Sequence, residues 1–429
     1  MKTIKDLDLR YICTGCGACS AICTQDAISM VPSDEHFYPE LNDDYCIRCG
    51  RCLAVCPGQT SDIKAIGDWL WPKSKYDAKI GKYLSTHVGY SLDETIRYES
   101  ASGGMATSFI LYLLNERIID GAIITRMNST DPLLAETIIA RTSEEVLQAQ
   151  GSKYSPTSPV EALKHIKSIK TEEKYAFVGL PCHIHGVRNL QKKEEWARKR
   201  IIITIGLFCS HTVSFLGNKF LLNKFADGTQ NVSNITYRGR GWPGGLCVTY
   251  NDGKSVNVPL KDYWAPYFGS YFFTPYRCLV CPDLSSELAD ISLGDAWLGE
   301  ITEQDKLGTS MIIVRSLIAS KLLSDMETKG YIALTEVSIN KAIESQKGIL
   351  ARKKDYLGSR IRLFELFKKS VPVYDQKFTS TIVGYIGAIL IYPNAYVSKT
   401  VWGQRFLYYI PLTVLKAYSV FIKLIMYPR

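Results

Sequence analysis

Cysteine is the residue with the most chemistry to offer in this chain, and its spacing is regular. Cys13, Cys16, Cys19 and Cys23 stand as C-x2-C-x2-C-x3-C; Cys46, Cys49, Cys52 and Cys56 repeat the run, with Pro57 after the last. Two-residue loops let three thiolates converge on three corners of one iron–sulfur cube. The fourth cysteine, on the departing segment, ligates the other cluster. The spacing therefore predicts one 4Fe–4S cluster on Cys13, Cys16, Cys19 and Cys56 and a second on Cys46, Cys49, Cys52 and Cys23. Gly15, Gly17 and Gly50 suit backbone that wraps a cluster and points amides at sulfur. Paired zinc sites are the competing reading, but zinc takes its ligands in pairs across longer loops.

This block resembles the bacterial two-cluster ferredoxin over about residues 8–58, departing only where the first run ends Cys23-Thr24 instead of Cys-Pro. Such a unit relays electrons without saying what they reduce. The remaining five of the 13 cysteines are Cys182, Cys209, Cys247, Cys278 and Cys281. Cys278 and Cys281 form a C-x2-C pair, compatible by itself with zinc or a reducible disulfide as well as with a cluster. Cys182 and Cys209 add the two ligands that a third 4Fe–4S cluster needs. Cys247, in the strand-like LCVTY, reads as a buried small apolar residue.

The elements that must position these residues follow from hydrophobic patterning. AIITR (122–126), YAFVGL (175–180) and IIITIGLF (201–208) are short apolar runs, and a helical stretch from about Ile184 to Arg198 separates the last two. Strand, helix, strand argues a parallel sheet covered by helices. Cys182 and Cys209 then follow the carboxyl ends of neighbouring strands, where open sheets bind ligands. Residues 59–85, with Trp69, Trp71 and Pro72, read as a linker that docks on the next domain. MATSFILYLLNER, after Ser102-Gly103-Gly104, has helical periodicity.

Composition narrows the class. The chain has 429 residues, 46% hydrophobic and 22% charged, which is globular and excludes global disorder, collagen and a polytopic membrane protein. The start, MKTIKDLDLR, lacks an apolar core segment. The expectation is therefore no secretory signal, a cytoplasmic location and cysteines used as ligands rather than disulfides. The net charge of +9 is uneven: residues 351–429 hold 13 Lys/Arg against 3 Asp/Glu, leaving 38 against 39 in the first 350. RKK (352–354), Arg360, Arg362 and Lys368-Lys369 lead into a stretch with no charge between Lys377 and Lys399. Such basic, aromatic-rich helices have three readings: a peripheral site on anionic lipid at the inner membrane face, a partner subunit's docking surface, or a cover for the chain's own core. Nucleic acid is disfavoured, since the charge comes with long apolar runs and no known binding module.

SASGGMATSFILYLL (100–114), GSKYSP (151–156), FVGLPCHIHGVRNL (177–190) and ADISLGDAW (289–297) resemble the beta subunit of coenzyme F-420 hydrogenase/dehydrogenase, in the family's order, over about residues 8–345. The resemblance implies an iron–sulfur flavoprotein that binds FAD and passes electrons between clusters and a two-electron organic substrate. The family also includes the plant enzyme that reduces 7-hydroxymethyl chlorophyll, so the deazaflavin coenzyme is one substrate among several, and no residue here selects among them. The family's glycine-rich segment maps onto Ser102, Gly103 and Gly104; its glycine–serine–lysine–tyrosine segment onto Gly151, Ser152, Lys153 and Tyr154; its proline–cysteine strand end onto Pro181 and Cys182; and its aspartate-rich segment onto Asp290, Gly294, Asp295 and Trp297.

Each mapped residue also has a plainer role. A glycine pair opening a helix suits a pyrophosphate, yet Ser102 would equally cap that helix. Lys153 would neutralise a phosphate or stand by the flavin pyrimidine ring, or be a solvated surface lysine. Asp295 would bind cofactor or hold a turn, with the turn preferred. His183 and His185 favour capping and support over a paired-histidine metal site. The loop YRGRGWPGG (237–245) is a candidate lid. No hydrolase triad, Walker loop, zincin sequence or GxGxxG stands out, and no side chain is singled out as an acid or base.

The expected architecture is an α+β ferredoxin-like two-cluster domain (1–60), a linker (61–85), an α/β flavin-binding domain (86–350) and a helical C-terminal tail (351–429). Two functions fit it: an FAD- and iron–sulfur-dependent oxidoreductase acting on a small molecule with a ferredoxin-type or other redox partner protein, and a non-catalytic electron-transfer subunit of a larger redox complex.

Overall fold

The computed structural model describes residues 1–169 and 171–426. Its centre is an eight-stranded sheet of β1 (Ser85–Ser91), β2 (Gly121–Met127), β3 (Ala135–Ala140), β4 (Tyr175–Gly179), β5 (Ile201–Leu207), β6 (Ile291–Asp295), β7 (Ser310–Val314) and β8 (Ile332–Glu336). The order across the sheet is β8-β1-β7-β6-β5-β4-β2-β3. The inner four, β2, β4, β5 and β6, are parallel, and antiparallel strands close both sides. The parallel strands read as nearly unbroken apolar runs because both their faces are covered. On one face lie helices Met105–Asn115 and Leu317–Thr328, burying Phe109, Leu113, Leu323 and Met326. Helix Pro181–Lys193 covers the other with Ile184, Val187 and Leu190.

The ferredoxin-like unit is part of that second layer. Ala18, Ile22 and Val55 share a core with Val160, Leu163 and Ile184. The unit itself has one hairpin, Ile28–Pro32 with Phe37–Leu41, and short helices Ala18–Ile22 and Arg51–Ala54 behind the two cysteine runs. Residues 61–85, expected as a linker, are folded: helix Ile63–Leu70 and the hairpin Lys75–Asp77 with Gly81–Tyr83 fill them. The helix buries Ile63 and Ile66 in the shared core.

A second body, of the three-stranded sheet Val232–Thr236, Gly245–Tyr250 and Ser255–Pro259 with helix Phe215–Phe225, packs around Phe220, Tyr263 and Tyr267. The C-terminal segment folds onto the chain's own core. Leu407 and Leu415 join the Phe220 cluster, while Ile391, Ala395, Ile422 and Met426 pack with Tyr11 and Tyr276. The basic run at 352–360 follows the reading of the tail as a cover for the chain's own core, because Arg352, Lys353, Lys354 and Arg360 are all buried.

Charge buried this way must be matched. Lys354 Nζ meets Glu287 Oε1 at 2.5 Å with both side chains under 10% exposed. Burial favours the neutral acid at Glu287, and the ammonium opposes that shift. Removing one partner strands the other charge in low dielectric. Lys354→Met is therefore expected to cost about 3–5 kcal/mol, read as a lower chemical-denaturation midpoint, and Lys354→Met with Glu287→Leu to recover most of it.

Candidate functional site

The two N-terminal runs fold into two separate cysteine sets, each drawing its fourth member from the other run. Cys23, Cys46, Cys49 and Cys52 line one cavity near the surface. Cys49 is exposed there, between exposed Tyr45 and Ile47 on one side and Arg51 on the other. Cys13, Cys16, Cys19 and Cys56 form the deeper set, near enough that burial first, and one another's charge next, push the Cys13 and Cys19 thiols up. Cys56 is pushed up to about 11, mainly by burial. Positive φ at Gly15 (70°), Gly17 (87°) and Gly50 (74°) makes the wrapping turns, and the Gly15 amide donates to Cys13 Sγ at 3.3 Å.

The third set also assembles. Cys182, in the first turn of the helix after β4, and Cys209, just after β5, line one cavity with Cys278 and Cys281. Cys278 lies in the short helix Tyr276–Leu279, and the Cys209 amide donates to Leu284 O at 2.8 Å. Burial, then the other cysteines, push Cys182 well above the ordinary thiol range. Cys209 reaches about 12, chiefly through burial. The cavity extends to Cys13, and Cys16 of the deeper N-terminal set lies within electrostatic reach of Cys182. Among the described residues no three His, Cys, Asp or Glu side chains converge tightly enough for a single metal ion.

Two cations that the cysteine pattern does not reveal complete this cavity. Lys353 Nζ lies 3.5 Å from Cys281 Sγ and 2.5 Å from Asp283 O. Arg277 donates through Nη2 to Pro57 O at 3.3 Å, beside Cys56, while its Nε and Nη1 have no hydrogen-bond partner among the described residues. Burial alone would raise the Cys281 thiol, but Lys353 and Arg277 together hold it below its ordinary value. Arg277 was detectable as the neighbour of Cys278. Lys353 lay hidden in a charge run that reads as solvent-facing.

His183 and His185, which line the same cavity, each make a supporting contact. His183 Nδ1 accepts the Leu180 amide at 3.3 Å, and His185 Nε2 lies 2.9 Å from Asp62 Oδ1. Cys247 is buried in its strand, with Arg240 Nη1 3.4 Å from its sulfur and no other cysteine in its set.

Of the eight flavin candidates, Gly151, Tyr154 and Asp295 contact loop 237–245 directly. Gly151 packs on Arg238 O, and Gly308 lies against both Ser102 and Trp242. Asp295 accepts Arg238 Nη1 and Nη2 (2.9 and 3.1 Å) and Trp242 Nε1 (3.0 Å), so it holds the loop. Ser102 corrects the capping expectation. Gly104 is the N-cap of helix Met105–Asn115, and Ser102 Oγ donates to Thr309 O at 3.1 Å. Gly103 is needed for packing, since a Cβ there would stand 2.7 Å from Gly89 O. Ser152 lies beside the Tyr154 hydroxyl, and the Tyr154 ring stands among Tyr237, Trp264 and Phe268. Of the aspartate-rich segment, Asp290 pairs with Arg188 at 2.9 Å, Gly294 admits Phe208 and Trp297 stacks on Trp242. Lys153 Nζ donates to Ala149 O, Gln150 O and Gly151 O, with no carboxylate beside it among the described residues, and desolvation lowers it to about 7.

Three models match this chain: a 4Fe-4S dicluster domain over residues 12–60, and the N-terminal and C-terminal parts of the coenzyme F420 hydrogenase/dehydrogenase beta subunit over residues 86–164 and 172–339. The coenzyme F420-dependent sulfite reductase of Methanocaldococcus jannaschii is 27% identical over 76% of this chain, which spans 48% of that protein's length. The coenzyme F420 hydrogenase subunit beta of Methanococcus voltae is 27% identical over 64% of this chain and 96% of its own. A chain of the F420-reducing NiFe hydrogenase complex from Methanosarcina barkeri superposes with a TM-score of 0.54 at 22% identity, covering 69% of this chain and 98% of that one, a likeness of fold. With its cysteines, its sheet and both halves of the model in register, the chain belongs to the coenzyme F420 hydrogenase/dehydrogenase beta subunit family and carries an N-terminal 4Fe-4S dicluster domain.

Proposed function

We propose that this protein is an FAD- and iron–sulfur-dependent oxidoreductase that moves electrons along three cysteine-held 4Fe–4S clusters, from the surface at Cys49 inward. The observation that carries the reading is the succession of three cysteine sets, with Cys16 of the middle set in reach of Cys182 of the innermost. When bound, the clusters carry single electrons and the flavin exchanges two with an organic substrate.

The residues supply placement and charge. Lys353 at Cys281 and Arg277 between Pro57 and Cys278 bring positive charge to sulfurs that become thiolates on iron, and in a buried site that stabilises the added electron. Lys153 is the observation that favours FAD. A half-buried ammonium bonded to three carbonyls, with no carboxylate beside it among the described residues, carries a charge that the cofactor's pyrophosphate or anionic reduced ring would balance. Gly151, Ser152 and Tyr154 hold that lysine's turn, and the Arg238–Asp295 pair fixes the loop above it. The relatives' names make a deazaflavin such as coenzyme F420 the first substrate to test. The second reading, an electron-transfer subunit of a larger complex, draws on the sulfite reductase's greater length and on relatives named as hydrogenase subunits.

Three measurements test these assignments. Cys278→Ala with Cys281→Ala is expected to remove roughly four of roughly twelve irons per chain, while Cys247→Ala removes none; unchanged iron in the double variant refutes the third cluster. Lys153→Met is expected to weaken FAD binding roughly tenfold or more with iron content intact. Wild-type affinity is expected to fall as pH rises through and above about 7, because the ammonium loses its charge on the alkaline side of its pKa. Iron-replete protein that takes up no flavin supports the subunit reading instead. Arg277→Gln is expected to lower a cluster midpoint potential, followed by spectroscopic redox titration, by on the order of 60 mV, a tenfold change for one electron.

A further inference from the structure

We propose that the outer surface of the three C-terminal helices rests on an anionic lipid surface, a role independent of the flavin reading. Helix Ile382–Val397 is built inside out. Its buried positions include Gly384, Gly387, Ala388 and Ala395, and its exposed ones are the large apolar Ile382, Ile386, Ile389 and Tyr396. The small residues let its backbone settle against the body: a Cβ on Gly384 would lie 2.6 Å from Ser359 Oγ, and one on Gly387 3.4 Å from Met426 Cγ. A helix facing water reverses this arrangement, with large apolar residues inward and polar ones outward. Small residues at the helix contact and large apolar ones outside are what lipid-facing helices use.

The next two helices continue the pattern. Val401–Tyr409 buries Gly403 and Leu407 and exposes Val401, Trp402, Phe406 and Tyr409. Leu412–Met426 buries Leu415, Ser419 and Ile422 and exposes Val414, Val420, Phe421 and Leu424. It lies beside the first helix, with Tyr418 OH donating to Asn394 Oδ1 at 2.8 Å.

Charge identifies the occupant. No Asp or Glu occurs after Asp375, whereas Lys377, Lys399, Arg405, Lys416 and Lys423 do. Lys399 and Lys416 are used internally, against Glu35 and Asp262. Lys377, Arg405 and Lys423 are exposed and make no ion pair among the described residues. Exposed aliphatic residues, exposed Trp402 and Tyr409, and cations with no acid among them match the interface of an anionic bilayer. A protein partner's complementary patch would ordinarily mix both signs. The helices lie on the surface rather than cross it. No single described helix is long and apolar enough to span, Val401–Tyr409 and Leu412–Met426 meet at a bend of 108°, and their inner faces are committed to the core.

Deleting the helices would strip Leu407, Leu415 and Ile391 from the core, so the test uses surface variants of the full-length, iron-loaded protein. Flotation with phosphatidylcholine vesicles, with and without phosphatidylglycerol, is the readout. The wild type is expected to float with the anionic vesicles and far less with the neutral ones. Lys377→Glu, Arg405→Glu and Lys423→Glu combined should weaken binding roughly a hundredfold, and Ile386→Ser with Trp402→Ser and Phe421→Ser roughly tenfold or more, both with unchanged iron content and visible absorption. Failure of the wild type to bind anionic vesicles overturns the proposal, as does equal binding by the variants. An oligomer that the apolar variant dissociates, without vesicle binding, assigns the face to protein contact and overturns it too.

Discussion

The close approach of the first cysteine loop to the Pro159–Ala162 turn and to the helix Pro181–Lys193 is the constraint on which the rest of this structure depends. A Cβ on Gly17 would lie 2.6 Å from the Glu161 amide, and one on Gly186 would lie 3.4 Å from Cys16 Sγ. Larger side chains at either glycine would push the ferredoxin-like unit off the sheet and separate the cysteine sets. The helix cannot yield instead, because buried Arg188 binds it to the sheet through Leu288 O, Thr204 Oγ1 and Asp290 Oδ2. Glu161 returns the contact by accepting Ser20 Oγ and the Met30 amide from the other side. Two pieces that share one core in this way have little freedom to move apart, and a relay of electrons requires that of its carriers.

Burying so much sulfur creates an electrostatic problem that distant segments answer. Three of the four thiols on this cavity, Cys182, Cys209 and Cys278, are pushed up by burial, yet iron binds them as thiolates. Arg277 and Lys353 face that charge, and they come from either side of the strands β6, β7 and β8 in the chain. The segment that holds Lys353 follows the last residue of the family match, which ends at 339. One of the two charges supporting the innermost cysteines, Lys353, thus comes from outside the part of the chain that defines its family, while Arg277 lies within it.

The same C-terminal region does two jobs with opposite faces. Its inner residues, Ile391 and Ala395 among them, close the aromatic cluster of Tyr11 and Tyr276, next to the chain segments that carry Cys13 and Cys278. Buried polar bonds fasten it there, such as Asn394 Nδ2 to Ser270 O and the Phe273 amide to Ser398 Oγ. The large apolar residues left outside are then surplus to folding, and their function must be sought beyond the molecule.

Local spacing alone determined the parts of this protein whose chemistry is local. Two-residue loops bring three sulfurs together whatever the rest of the chain does, so both N-terminal cysteine sets, with their exchanged fourth ligands, are legible in the sequence. Unbroken apolar runs such as Tyr175–Gly179 and Ile201–Leu207 likewise announce buried parallel strands, and with them the placement of Cys182 and Cys209. Contacts between residues far apart in sequence were invisible there. Lys353 meets Cys281 across 72 positions, and a run of three cations has no local feature that says whether it faces water or sulfur. Ser102 sits where a cap would sit, but Thr309 and Ser310 compete for it from 207 and 208 residues away. In Ile382–Val397 every position is uncharged, so periodicity cannot choose a face, and only the tertiary structure decided that the small residues go inward. The physical reason is that short loops constrain their own geometry, whereas burial of a charge or choice of a helix face is settled by the partner that arrives to cover it.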